Sequence, residues 1–125
     1  MSQNYDTLLK RYITVVAHEG GSDLHFSAGV HPTIRVAGNL APMLKEPVLT
    51  AADTLGFAHT LLKEYQMKRF QEDLTVDFAY ESEEGLRFRG NAFFQRGSVG
   101  IALRLIPKQI RTIQELNLPE TLFSF

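Results

Sequence analysis

The sequence predicts an α+β domain: an antiparallel sheet of about six strands with helices packed on one face. Three observations carry this. Apolar residues follow a helical period near the start and in the middle of the chain, and a strict alternation elsewhere. The alternating runs come in two groups of three, joined by short turn-rich segments rather than crossover helices, which implies hairpins. At 125 residues, with 44% hydrophobic and 22% charged side chains, the chain can bury a real core as one domain.

Taken in order, Tyr5, Leu8, Leu9, Tyr12, Ile13 and Val16 recur at helical spacing, so residues 4 to 18 read as an amphipathic helix that Gly20-Gly21 ends. Ser22 to Ser27 alternates, with Leu24 and Phe26 on one face and Asp23, His25 and Ser27 on the other. Thr33 to Ala37 is a second strand, with Ile34 and Val36 inward and Arg35 outward. Gly38-Asn39 then signals a hairpin turn into Leu40 to Leu44. Thr50-Ala51-Ala52-Asp53 resembles a capping box and opens a helix expected to bear Leu55, Ala58, Leu62 and Tyr65 on one side. A second helix runs through Met67 and Phe70 to about Asp73. Residues 75 to 81 form a strand with Val76, Phe78 and Tyr80 facing one way and Asp77, Ala79 and Glu81 the other. Two more strands follow, and Thr112-Ile113-Gln114-Glu115 is another capping box, for a short helix stopping before Pro119. The whole has a PAS-like general shape.

Residues 85 to 114 carry six basic side chains and no acidic one, although the net charge of the chain is only −1. They are Arg87, Arg89, Arg96, Arg104, Lys108 and Arg111. The first strand of this hairpin, residues 86 to 94, puts Arg87, Arg89 and Asn91 on one face. The second, residues 99 to 106, buries Val99, Ile101, Leu103 and Leu105 and points Arg104 the other way. If Gln95 pairs with Ser98 across the turn, Arg89 lies directly opposite Arg104 and Arg87 is a diagonal neighbour. Like charges facing each other across a ladder are unfavourable by roughly 0.2–1 kcal/mol. The pattern therefore points to an anion, and phosphate matches a guanidinium in two-pronged geometry. On this reading, removing Arg89 or Arg104 relieves repulsion and leaves the isolated domain as stable as before, or slightly more so. The competing reading is a solubilising strand face, with Arg87 or Arg89 paired to Asp77 or Glu81.

Other classes are set aside by composition. A nearly neutral chain is not a dedicated nucleic-acid binder, which would be strongly basic overall. Without cysteine there is neither a disulfide framework nor a thiolate metal site, which fits the cytoplasm. The N-terminus lacks the basic start and apolar run of a signal peptide, and no stretch reaches the roughly 18 apolar residues of a bilayer span. Asp23-x-His25 puts a carboxylate and an imidazole on one strand face, but a metal site needs three or four converging ligands. No metal site is expected, His25 reads as a polar side chain on a half-exposed sheet face, and no P-loop motif occurs.

These residues also resemble a known family. Ser22-Asp23-Leu24-His25-Phe26-Ser27-Ala28-Gly29 and Pro32-Thr33-Ile34-Arg35-Val36-Ala37-Gly38 look like the opening signature of the type IV pilus retraction ATPases, the PilT group of secretion ATPases. Asp77-Phe78, the Arg87 to Phe93 run, Leu103-Arg104-Leu105-Ile106-Pro107 and the Ile113 to Pro119 run resemble the following blocks in the same order. The resemblance spans roughly residues 5 to 123. Gly90, where the family more often has a β-branched residue, and Phe26, where leucine is usual, are local departures.

The resemblance implies a PAS-like N-terminal domain over residues 1–118, with 119–125 starting the linker to a RecA-like motor domain. It implies that Arg87, Arg89 and Arg104 reach the phosphates of ATP held by the motor domain's P-loop, and that Arg35 has a structural or interface role first. The parent would be a hexameric twitching-motility ATPase using ATP and magnesium. This chain alone would not be catalytic and would hold no cofactor tightly. Implied partners are the motor domains of the same and neighbouring subunits and the pilus inner-membrane platform protein, with neither nucleic acid nor membrane insertion. The implied location is cytoplasmic, at the inner-membrane base of the pilus machine. The alternative is a stand-alone PAS-like sensor holding a small ligand, which would need an apolar cavity inside the fold.

Overall fold

The computed structural model describes residues 4–107. Helix α1 (Tyr5–Glu19) begins where Asn4 accepts a hydrogen bond from the Thr7 amide at 3.1 Å and stops at Gly20. Strands β1 (Gly21–Phe26), β2 (Thr33–Val36) and β3 (Asn39–Pro42) follow, then helices α2 (Ala51–Leu61) and α3 (Glu64–Asp73), then strands β4 (Thr75–Glu81), β5 (Arg87–Gln95) and β6 (Ser98–Leu105). The six strands form one sheet in the order β3-β2-β1-β6-β5-β4, antiparallel throughout. This is the α+β architecture expected from the sequence. The last predicted helix, together with Lys108, Arg111 and the linker, lies outside the described residues.

Period-two alternation sends Leu24 and Phe26 of β1, Phe88 and Ala92 of β5, and Ile101 and Leu103 of β6 into a core closed by the helices. Leu9, Tyr12, Ile13 and Val16 of α1 are buried, and Phe57 of α2 stacks on Phe26 with ring centroids 4.4 Å apart. Tyr5 meets Phe57 edge-on at 5.0 Å, and its hydroxyl donates to Asp53 at 2.9 Å. Asp53 also closes the predicted capping box with Thr50, so one carboxylate starts α2 and ties it to α1.

Two expectations need correction. The buried stripe of α2 is Thr54, Phe57, Ala58 and Leu61, whereas Leu55 is 42% exposed and Tyr65 67%. The reason is that α2 ends at Leu61. Leu62 takes an extended conformation, so Tyr65 belongs to α3 and no longer shares the face of α2. The β2–β3 turn falls one residue earlier than expected, at Ala37-Gly38, with φ of 52° and 82°. A two-residue hairpin loop of type I′ needs left-handed conformations at both positions, and Gly38 adopts one without a Cβ penalty. Arg35 braces this turn by donating from Nη1 to the Gly38 carbonyl at 3.0 Å, which gives it the structural role expected first.

The basic hairpin takes its predicted register, with Gln95 opposite Ser98 and Arg89 opposite Arg104. Gly90 is explained by packing. A Cβ there would lie 2.4 Å from the ring of Phe78, its partner on β4, and 2.9 Å from Leu103. Phe78 occupies the room that a β-branched side chain would take.

Candidate functional site

The helix-free face of the sheet is where the outward residues of five strands meet. The pairings place them in two rows. One row runs Arg35, Asp23, Arg104, Arg89, Ala79, and the next runs Thr33, His25, Ala102, Asn91, Asp77. Ala102 is small and sits between His25 and Asn91, so the charged side chains border an open depression of about 540 Å³. Arg89, Arg104, Asp23, His25, Asp77 and Asn91 line it. Arg87 is not among the lining residues. Its side chain is 72% exposed, and Nε lies 3.9 Å from Glu81, its partner on β4. At that distance and exposure the ion pair is weak.

Arg104 is not simply opposed by Arg89. It occupies the row between Arg89 and Asp23, and its Nε donates to Asp23 Oδ2 at 3.2 Å. The expectation that its removal only relieves repulsion is therefore corrected. The Asp23 side chain is 8% exposed and that of Arg104 is 74%. Burial pushes the Asp23 carboxyl up, but hydrogen bonds from the Ser22 hydroxyl and from Arg104, with the charge of Arg104, bring it below the usual aspartate value. Asp23 thus stays ionised and fixes Arg104 through Nε, while the outer fork of the guanidinium faces solvent.

Arg89 differs. Its direct partners are Arg104 and Ala79, and no ion pair to it forms among the described residues. Asp77 lies diagonally across β4, but its Oδ1 accepts from Asn91 Nδ2 at 2.8 Å. His25 faces the same depression. Burial lowers its pKa, Asp23 opposes that shift, and Arg35 and Arg104 reinforce it, so the imidazole is neutral at pH 7. Its Nε2 is inaccessible and has no hydrogen-bond partner. No group of three or more metal-ligating side chains converges among the described residues.

Chemically, the arrangement offers one guanidinium pre-oriented by a buried carboxylate and a second left free beside it. Such a pair can hold an anion with dispersed oxygens, of which phosphate is the natural case. Sequence reasoning found Arg89 and Arg104 but missed Asp23 and Asn91. The outward alternation of Asp23 was visible; its meeting with Arg104 depends on β1 lying beside β6, which no local pattern encodes.

The chain is 37% identical over 113 residues to the type IV pilus ATPase PilU of Pseudomonas aeruginosa, covering 90% of this chain and 29% of that protein. It is 38% identical over 104 residues to the type IV pilus ATPase PilT of the same organism, covering 83% of this chain and 30% of that protein. It therefore spans about a third of the length of these curated relatives. Among solved structures, the pilus retraction motor PilT with bound ADP superposes with a TM-score of 0.78 at 32% identity, over 98% of this chain and 34% of that one. No protein-family model matches the chain.

Proposed function

Because this chain belongs to the type IV pilus ATPases of the PilT group, as their N-terminal domain, we propose that its open sheet face reads the phosphates of ATP held by the motor domain. Arg89 and Arg104 make the contacts, and Arg87 joins them from the rim. The observation that carries this reading is the paired geometry: Arg104 anchored on Asp23 by Nε, with Arg89 opposite and free of an ion pair. Supporting it, the relatives are named as ATPases, and the structural neighbour was crystallised with ADP. A small-ligand sensor is not favoured. The space such a ligand would need between sheet and helices holds Phe26, Phe57 and Phe88, all fully buried.

The nucleotide, with magnesium, supplies the phosphoryl chemistry in the motor domain. What this domain adds is electrostatic. Charge gathers on a transferring γ-phosphoryl group, and an arginine placed there contributes about 10³–10⁵ in rate in well-studied cases. Neither guanidinium is enclosed, so both contacts are weak and salt-screened in the isolated domain and strengthen when a second protein surface excludes water. Triphosphate then holds the two domains together, and hydrolysis removes part of that attraction and releases them, a two-state switch driven by differential contacts. In a ring of six subunits at the pilus base, this release would couple hydrolysis to rotation of the domain, and the rotation would drive pilus motility, acting on the inner-membrane platform protein.

The test uses the full-length ATPase with fluorophores on this domain and on the motor domain. A non-hydrolysable ATP analogue should bring them into a closed state that ADP does not support, and Arg89→Ala should abolish the difference. The same distance in both nucleotide states would overturn the proposal.

A further inference from the structure

From the hydrogen bonds beside the arginine pair, we infer that Asn91 is a positioning residue which tethers the Asp77 carboxylate and so keeps Arg89 free for its anion. This rests on the phosphate reading of the open face and assigns a task to a residue that does not itself meet the phosphate. The Asn91 amide donates to Asp77 Oδ1 at 2.8 Å, Thr75 Oγ1 at 3.1 Å and the Val76 carbonyl at 3.3 Å. A carbonyl and an ionised carboxylate only accept, so the nitrogen of Asn91 must face β4, and its two hydrogens are shared among three oxygens.

The consequence is a matter of competition. Asp77 stands directly across from Asn91, and Arg89 lies two residues from Asn91 along β5. Asp77 and Arg89 are thus diagonal neighbours on one face, a separation that a long side chain spans. An untethered carboxylate there would find the guanidinium, since charge-assisted pairs of this kind are among the stronger hydrogen bonds. Yet no ion pair joins Asp77 to Arg89, and the residue directly opposite Arg89 is Ala79, which offers no acceptor. The neighbouring row handles its acid differently: Asp23 is committed to Arg104. Each carboxylate of the depression is therefore occupied, one by an arginine that it orients and one by an amide that holds it away from the other arginine. An amide suits the second task because it engages the carboxylate without adding charge.

The experiment is carried out on this chain with two variants, Asn91→Ala and Asn91→Val, the second preserving β-strand preference if the first does not fold. Two readouts are taken: solvent exchange of the Arg89 Nε proton by NMR, and affinity for tripolyphosphate by titration. With the tether removed, Arg89 exchange should slow several-fold as it pairs with Asp77, and tripolyphosphate affinity should fall three- to tenfold. Adding Asp77→Ala to either variant should reverse both changes, a rescue that a merely structural role for Asn91 does not predict. Unchanged Arg89 exchange in the folded variants, or no rescue by Asp77→Ala, would overturn the inference. If the exchange changes appear while tripolyphosphate binds neither wild type nor any variant even at low ionic strength, where screening is slight, the tether stands and the phosphate reading fails. If tripolyphosphate binds at Arg89 equally in all variants, the phosphate reading stands and the tether falls.

Discussion

The two faces of this sheet are built from alternate residues of the same strands, yet they solve opposite problems. On β1, Leu24 and Phe26 face the helices while Asp23 and His25 face out. On β6, Ile101 and Leu103 are buried while Ala102 and Arg104 border the depression. The covered face is held by apolar burial, where each side chain is replaceable by another of similar volume. The open face is held by partner identity. Arg104 has its carboxylate, Asp77 has its amide, and Arg89 is left over. Stability is thus concentrated on one face and unspent attraction on the other. Substitutions on the two faces should therefore separate, stability from function, except at Arg104, whose pair with the buried Asp23 serves both.

The largest effect is expected on the covered face. Phe57→Ala removes the ring that stacks on Phe26 and meets Tyr5 and Tyr12, and should cost about 3–5 kcal/mol by chemical denaturation. A loss below about 1 kcal/mol would mean that the helices are not what stabilises the sheet.

Next comes Arg104→Ala, the one open-face substitution expected to weaken the fold. It leaves the buried Asp23 carboxylate without its charged partner and should cost about 1–2 kcal/mol, less than a fully buried pair because Arg104 is itself exposed. Adding Asp23→Asn should recover part of that loss. Equal stability of wild type and Arg104→Ala would show that the pair has no structural value.

Acid should produce a smaller change, and its sign is fixed by the lowered pKa of His25. Well above pH 6.5 the imidazole is neutral folded and unfolded, so it costs nothing. As pH falls below 6.5, the unfolded chain takes up a proton that the folded one resists, and stability drops until the folded pKa is passed. The contribution of Asp23 survives this window and is lost only as pH falls from its ordinary value of 3.8 through the lower folded one. Urea denaturation at pH 7 and pH 5 should show less acid destabilisation in His25→Gln than in wild type. An identical loss in both would assign the effect to other groups.

The smallest effect on stability is expected at Arg89, where Arg89→Ala should stay within about 0.5 kcal/mol of wild type because no pair is broken.

How much of this was legible in the sequence divides along the same line. Alternation in β1, β4, β5 and β6, the Thr50-Asp53 cap and the Gln95–Ser98 turn are local signals, so the strands, α2 and the facing of Arg89 and Arg104 were readable. The α2 stripe was misplaced because its period was carried past Leu62, where the backbone becomes extended. Asp23 was seen as outward but not as the partner of Arg104, since residues 81 positions apart meet only once the sheet order is set. The tether of Asp77 was hidden for the same reason: Asn91 reads as one more polar side chain until β4 is laid beside it.

That Arg89 serves phosphate and not the fold can be checked by ATP turnover of the full-length protein carrying Arg89→Ala, set beside the denaturation midpoint of this domain with the same change. Turnover should fall by at least an order of magnitude, from loss of a contact that strengthens as charge develops on the transferred group, with the midpoint unmoved. Turnover within twofold of wild type would contradict it, and so would a loss of turnover that only tracks a weakened fold.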